Sequence, residues 1–145
     1  MPSAPARRWY ALPLLALGAA GAAAAWLLLA LALDRQCAWL APLVALDMVL
    51  LLRLAHWRAG WIRAGWALLA TAMVIAAANV LIAAGQIGAS LGLHTLESVR
   101  LIGPHYAWLL IGLANRPIDL LLYGVGLLVA VASGLSGRRP APSAR

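Results

Sequence analysis

Twenty-five consecutive residues, Trp9 to Leu33, carry no charge. As a helix such a run is about 37 Å long, more than the ~30 Å hydrocarbon core of a bilayer. Three further apolar runs follow, Cys37 to Ala55, Ala64 to Ala84 and Ile118 to Leu135. In lipid every backbone N–H and C=O has to be satisfied within the structure, and runs of this length achieve that as helices. The chain therefore reads as an all-α membrane protein with four transmembrane helices in one bundle domain, residues 1–145. Its balance of residues agrees: 10% are charged and 65% belong to the apolar set, against about 25% charged in a soluble domain. That leaves too little polar surface to coat a water-exposed globule. A soluble enzyme, a disordered tail and a disulfide-rich secreted module are excluded on this ground.

The first run follows Arg7-Arg8 and contains Ala22 to Ala25, features of a cleavable signal peptide. A signal's apolar core is only about 7–15 residues, however, and this run continues through Trp26 to Leu33. The expectation is an uncleaved first span. Orientation follows from the arginines. With the N-terminus cytoplasmic, Arg7, Arg8, Arg53, Arg58, Arg63, Arg138, Arg139 and Arg145 lie inside, and only Arg35, Arg100 and Arg116 lie outside. That asymmetry is what the positive-inside rule requires. It demands an even number of spans, and four places both termini, including the tail 136–145, in the cytoplasm. The segment 85–117 is less apolar and contains Gly103-Pro104 and Arg116-Pro117. It reads as a short interfacial helical segment between helices three and four. An alternative is one long final helix kinked at Pro117. A break is preferred, because Pro117 then occupies a first turn, where its missing N–H costs little.

All eleven basic residues are arginine, and the net charge is +7. They punctuate apolar runs instead of clustering on a soluble face, so the expected partner is a bilayer with anionic headgroups, not nucleic acid. Abundant Ala, Leu and Gly with no Lys or Phe suggest GC-rich coding, hence a bacterial inner membrane. Cys37 is the only cysteine, which rules out an intrachain disulfide and paired-thiol redox chemistry. It reads as a small apolar filler, with a bridge between protomers as its sharper role.

Membrane helices associate through small residues and polar contacts. Three stripes are expected to face inward: Gly18, Ala22 and Ala25 with Gly21 adjoining, then Ala72, Ala76, Asn79, Ala83 and Gln86, and finally Gly126, Ala130 and Gly134. Asp47 lies mid-helix, where an acid costs about 2.5–3.5 kcal/mol on insertion scales. It is expected to face the bundle interior or water, either as a proton or cation site or as a neutral hydrogen-bonded group. Its expected partner is Asn79, at a depth that differs by about one helical turn or slightly more. Arg116, Asp119 and Tyr123 form a candidate outer vestibule, though an acid in a first turn also simply favours the helix dipole. Arg53, Trp57, Arg58, Trp61, Arg63 and Trp66 read as a headgroup and interface belt, with Arg58-Ala59-Gly60-Trp61 repeated as Arg63-Ala64-Gly65-Trp66.

His94, Glu97 and His105 are the only concentration of metal-capable side chains. Nothing fixes His105 near the other two, so no metal site and no cofactor are expected. No phosphate-cradling loop, nucleophile elbow or metalloprotease helix occurs. The function expected first is a non-enzymatic accessory, anchor or scaffold subunit of an envelope complex. The alternatives are a small oligomeric transporter or channel coupled through Asp47, and an enzyme acting on lipid headgroups through His94, Glu97, His105 or Arg116. Partners are then a homo-oligomer or a larger membrane complex.

Overall fold

A computed structural model describes residues 10–136. Arg7, Arg8, Arg138, Arg139 and Arg145, which carry much of the charge asymmetry, lie outside the described residues. Five helices follow one another: α1 (Ala11–Leu33), α2 (Leu40–Leu54), α3 (Trp61–Leu91), α4 (Thr95–Ala114) and α5 (Pro117–Leu135), with no strand among the described residues. Of these, α1, α3 and α5 are long and apolar enough to cross a membrane, which fits a multi-pass membrane protein. α2 has 15 residues, about 22 Å, and is shorter than the bilayer core.

Prolines mark the helix starts. Pro13, Pro42 and Pro117 all fall in first turns, where a missing N–H breaks no intrahelical bond. The expected break ahead of the last helix is present, with Arg116 extended at φ −80°, ψ 158° and Pro117 as the first residue of α5. Gly103-Pro104 has a different effect. Gly103 takes φ 67°, ψ 163°, and α4 is two helical pieces meeting at that kink.

Three boundaries differ from the sequence reading. The second helix begins at Leu40, not Cys37, because Cys37 adopts a left-handed φ of 52° in the turn. The third runs from Trp61 to Leu91 instead of Ala64 to Ala84, about 46 Å in all. Gly85 and Gly88 do not break it; both are buried against neighbouring segments, and the helix ends at Gly92 with φ 71°. The intervening segment is then α4, 20 residues rather than a short piece, packed against α3 alone among the helices.

α2 and α3 form the central pair, with α1 and α5 each contacting both of them. Close approach comes from small residues. A Cβ on Gly126 would meet Ala41 backbone and Cβ at 2.9 Å, and one on Gly134 would meet the Ala64 Cα at 2.6 Å. The Gly126–Ala130–Gly134 stripe is accordingly buried. The other two stripes divide. Gly18 and Ala22 are half-buried, but Gly21 and Ala25 are exposed; Asn79 and Ala83 are buried, whereas Ala76 and Gln86 are exposed.

Candidate functional site

At the end of the bundle formed by the α1–α2 turn, four segments bring polar side chains together. Gln36 comes from the turn, Asn79 from α3, Asn115 from the α4–α5 link and Tyr123 from α5. Asn79 Oδ1 is the hub. It accepts from Gln36 Nε2 at 2.7 Å and from Asn115 Nδ2 at 2.8 Å, and the Tyr123 hydroxyl lies 3.3 Å away. That hydroxyl donates to Asn115 Oδ1 at 2.9 Å.

Both asparagine amides also bond locally, Asn79 Nδ2 donating to the Ile75 carbonyl at 2.9 Å and Asn115 Nδ2 to the Ile111 carbonyl at 2.8 Å. Beneath the cluster Trp26 and Tyr123 meet with ring centroids 6.2 Å apart and planes tilted by 55°. Trp26 Nε1 donates to the Gln36 carbonyl at 2.9 Å, which anchors the turn to α1.

Gln36 also opens onto a cleft of about 550 Å³ rimmed by Asp34, Arg35, Gln86, Arg116 and Asp119. Of the three residues expected at an outer vestibule, Arg116 and Asp119 line this cleft, and Tyr123 belongs to the amide cluster instead. Asp119 has the local role that its first-turn position suggests. Its Oδ2 accepts the Arg116 N–H at 2.9 Å, satisfying one of the orphan donors at a helix start. The arrangement offers neutral donors and acceptors in the cluster and charges of both signs at the rim. Neutral groups bonded to one another hold segments together; the rim can orient a polar solute or a partner.

Asp47 and Asn79 are not brought together. Asp47 is exposed, on a face of α2 shared with Leu43, Leu50 and Leu54, while Ala41, Ala45, Met48 and Leu52 fill the buried side. The expectation that Asp47 faces the interior is thus corrected. α2 rotates its small residues inward because Ala41 has to meet Gly126 at backbone distance, and rotation to bury Asp47 would put leucines in that seam. Asn79 instead bonds Gln36 and Asn115. Sequence reasoning missed Gln36, Asn115 and Trp26; for Gln36 and Asn115 the available signal was a side-chain amide at the edge of an apolar run, and for Trp26 an indole within one.

The six residues expected at the headgroups also separate. Arg53, Arg58, Trp61 and Trp66 are exposed, and Trp57 is half-buried and edge-on to Trp66 at 6.3 Å. Arg63 is a correction, because it is buried, at 5% exposure. Its Nε donates to the Gly134 carbonyl at 2.9 Å and its Nη2 to the Ser136 carbonyl at 2.6 Å and the Ser133 carbonyl at 3.3 Å. Arg53 Nη2 also reaches the Ser133 carbonyl, at 3.2 Å. The physical cause is the end of α5, whose last carbonyls lack intrahelical donors and carry the negative pole of the helix dipole.

Cys37 is buried. His94, Glu97 and His105 are exposed, and the Glu97 carboxylate accepts the His94 backbone N–H at 3.3 Å as a cap. Among the described residues no group of three or more His, Cys, Asp or Glu side chains could hold a metal ion. Compared with known protein families, characterised proteins and solved structures, the chain matches none.

Proposed function

We propose that this protein is a small accessory or scaffold subunit of an envelope complex in a bacterial inner membrane. It crosses the membrane four times with both termini in the cytoplasm, α2 being the shortest span and the α1–α2 turn lying outside. α2 counts as a span because it packs against α1, α3 and α5, the three long apolar helices. One observation carries the functional reading. Gln36, Asn115 and Tyr123 bond one another through Asn79 inside the bundle, while Asp47, the acid in the middle of an apolar helix, faces away from the bundle. A bundle that conducts protons or cations through itself needs its acid inside; a subunit that assembles with others has reason to present one outside.

Isolation at native abundance in mild detergent tests this. A stoichiometric complex with other membrane proteins is the expected result. A protein that purifies alone and carries solute flux in liposomes refutes the reading in favour of the transporter, with the 550 Å³ cleft as its mouth. Topology is checked by cysteines placed at Arg58 and Arg116 in a Cys37→Ala background, only the second reacting with an external reagent.

A further inference from the structure

Beside Asp47 the surface is not a smooth wall of leucine. A groove of about 230 Å³ runs between α1 and α2, lined by Ala22, Ala25, Leu29, Leu43, Val44 and Asp47. On its α1 side Ala25 is exposed, and a Cβ on the adjoining exposed Gly21 would meet nothing within 4 Å. Small residues on a lipid-facing helix surface let another helix backbone approach closely, which is how membrane helices pair. Asp47 is the eighth of the 15 residues of α2, about 10 Å from either end. A carboxyl at that depth facing hydrocarbon lacks the partner that intramembrane acids have, and among the described residues no hydrogen bond reaches it.

Charge complementarity identifies the occupant. The chain contains no lysine, and no arginine lies in the middle of α1, α2, α3 or α5. Arg53 is next to last in α2 and Arg63 is third in α3, both engaged with the end of α5. A second copy therefore brings no cation to the level of Asp47, and a two-fold arrangement on this face sets two acids against each other. Like charges in one site disfavour each other. We propose that the groove between α1 and α2 seats a transmembrane helix of a different protein, one that carries a lysine or arginine near its middle and pairs it with Asp47. This rests on the scaffold reading and names the partner's chemistry. Gly21 and Ala25 admit the incoming backbone, and Asp47 selects the sequence.

The test uses the full chain in lipid nanodiscs, fluorescently labelled at its C-terminus, and three synthetic Leu/Ala helices of about 22 residues. They differ only in a central Lys, Leu or Glu. The Lys helix is expected to bind at least tenfold more tightly than the Leu helix by energy transfer, and the Glu helix no more tightly than the Leu helix. Asp47→Asn should abolish the tenfold preference. Ala25→Leu, which keeps the acid but fills the groove, should weaken the Lys helix as much. Circular dichroism and melting establish that both variants are folded.

Equal binding of Lys and Leu helices, or a preference that survives Asp47→Asn, overturns the proposal. So does an Asp47-dependent dimer of the chain itself, counted by photobleaching steps. A native complex that persists in the Asp47→Asn strain refutes this inference and leaves the scaffold reading intact, whereas absence of any native complex refutes the scaffold reading itself.

Discussion

Asn79→Leu is the sharpest probe of the amide cluster. Leucine has the same number and branching of side-chain heavy atoms as asparagine, so the change removes the acceptor without opening a void. It orphans the Gln36 and Asn115 donors, now held at 2.7 and 2.8 Å, and removes the neighbour of the Tyr123 hydroxyl at 3.3 Å. Hydrogen bonds between membrane helices average about 0.6 kcal/mol and reach about 1.7. Three of them give a loss of about 2 kcal/mol, with about 5 as the upper bound. Gln36 borders an open cleft, where water replaces part of what it loses, so the lower figure is expected.

The assay is reversible unfolding in mixed micelles, by steric trapping or detergent titration, with Tyr123→Phe and the double variant completing a cycle. Because both changes act on Asn115, the coupling should be at least about 0.5 kcal/mol. Gln86→Leu, an exposed position on the same helix, serves as the control and should stay within about 0.5 kcal/mol. A loss below about 0.5 kcal/mol for Asn79→Leu, or strict additivity with Tyr123→Phe, refutes the view that Asn79 Oδ1 joins the four segments.

Arg63→Leu should cost about 3 kcal/mol in the same unfolding assay, because it strips the end of α5 of a buried multidentate donor. Arg63→Lys should recover only part, since an ammonium lacks the planar fork that spans several carbonyls; Arg58→Ala should be near neutral. Gly126→Ala pushes a Cβ to 2.9 Å from Ala41 and should lose about 1–3 kcal/mol. Gly21→Ala, with open space beside it, should be neutral or gain up to about 1 kcal/mol from helix propensity. Thr71 is fully buried and its hydroxyl has no partner among the described residues, so Thr71→Val should raise stability by about 1 kcal/mol. Thermal melts that order these variants differently contradict the packing assigned to each.

The orientation of α2 shows how close the sequence came to the site. Small residues inward and leucines outward is the packing rule for membrane helices. Applied to Ala41, Ala45 and Leu43, Leu50, Leu54, it already turns Asp47 to the outside. The cost of an exposed acid argues for the opposite rotation. Burial cost is a property of one residue, however, whereas the α2–α5 seam is shared by many, and the close contact of Gly126 with Ala41 decides it. The same holds for Arg63. Its place in a basic, tryptophan-rich connector suggests headgroups, but the open carbonyls at the end of α5 lie within direct reach, at 2.6 to 3.3 Å, and need donors that the helix itself does not supply.

What the sequence alone determined is what depends on neighbours along the chain. It showed a helical protein with spans of membrane length, the start of the last helix at Pro117, and the buried stripe Gly126, Ala130 and Gly134. These follow from backbone hydrogen bonding in lipid, proline geometry and the 3.6-residue period, all local. Only the tertiary structure decided which polar groups meet. Gln36, Asn79, Asn115 and Tyr123 are separated by up to 87 residues and converge because α2 and α3 draw α1 and α5 around them. Asp47 stays outside for the same reason: helix rotation is set by the sum of close contacts across a bundle, and no single residue's preference outweighs that sum.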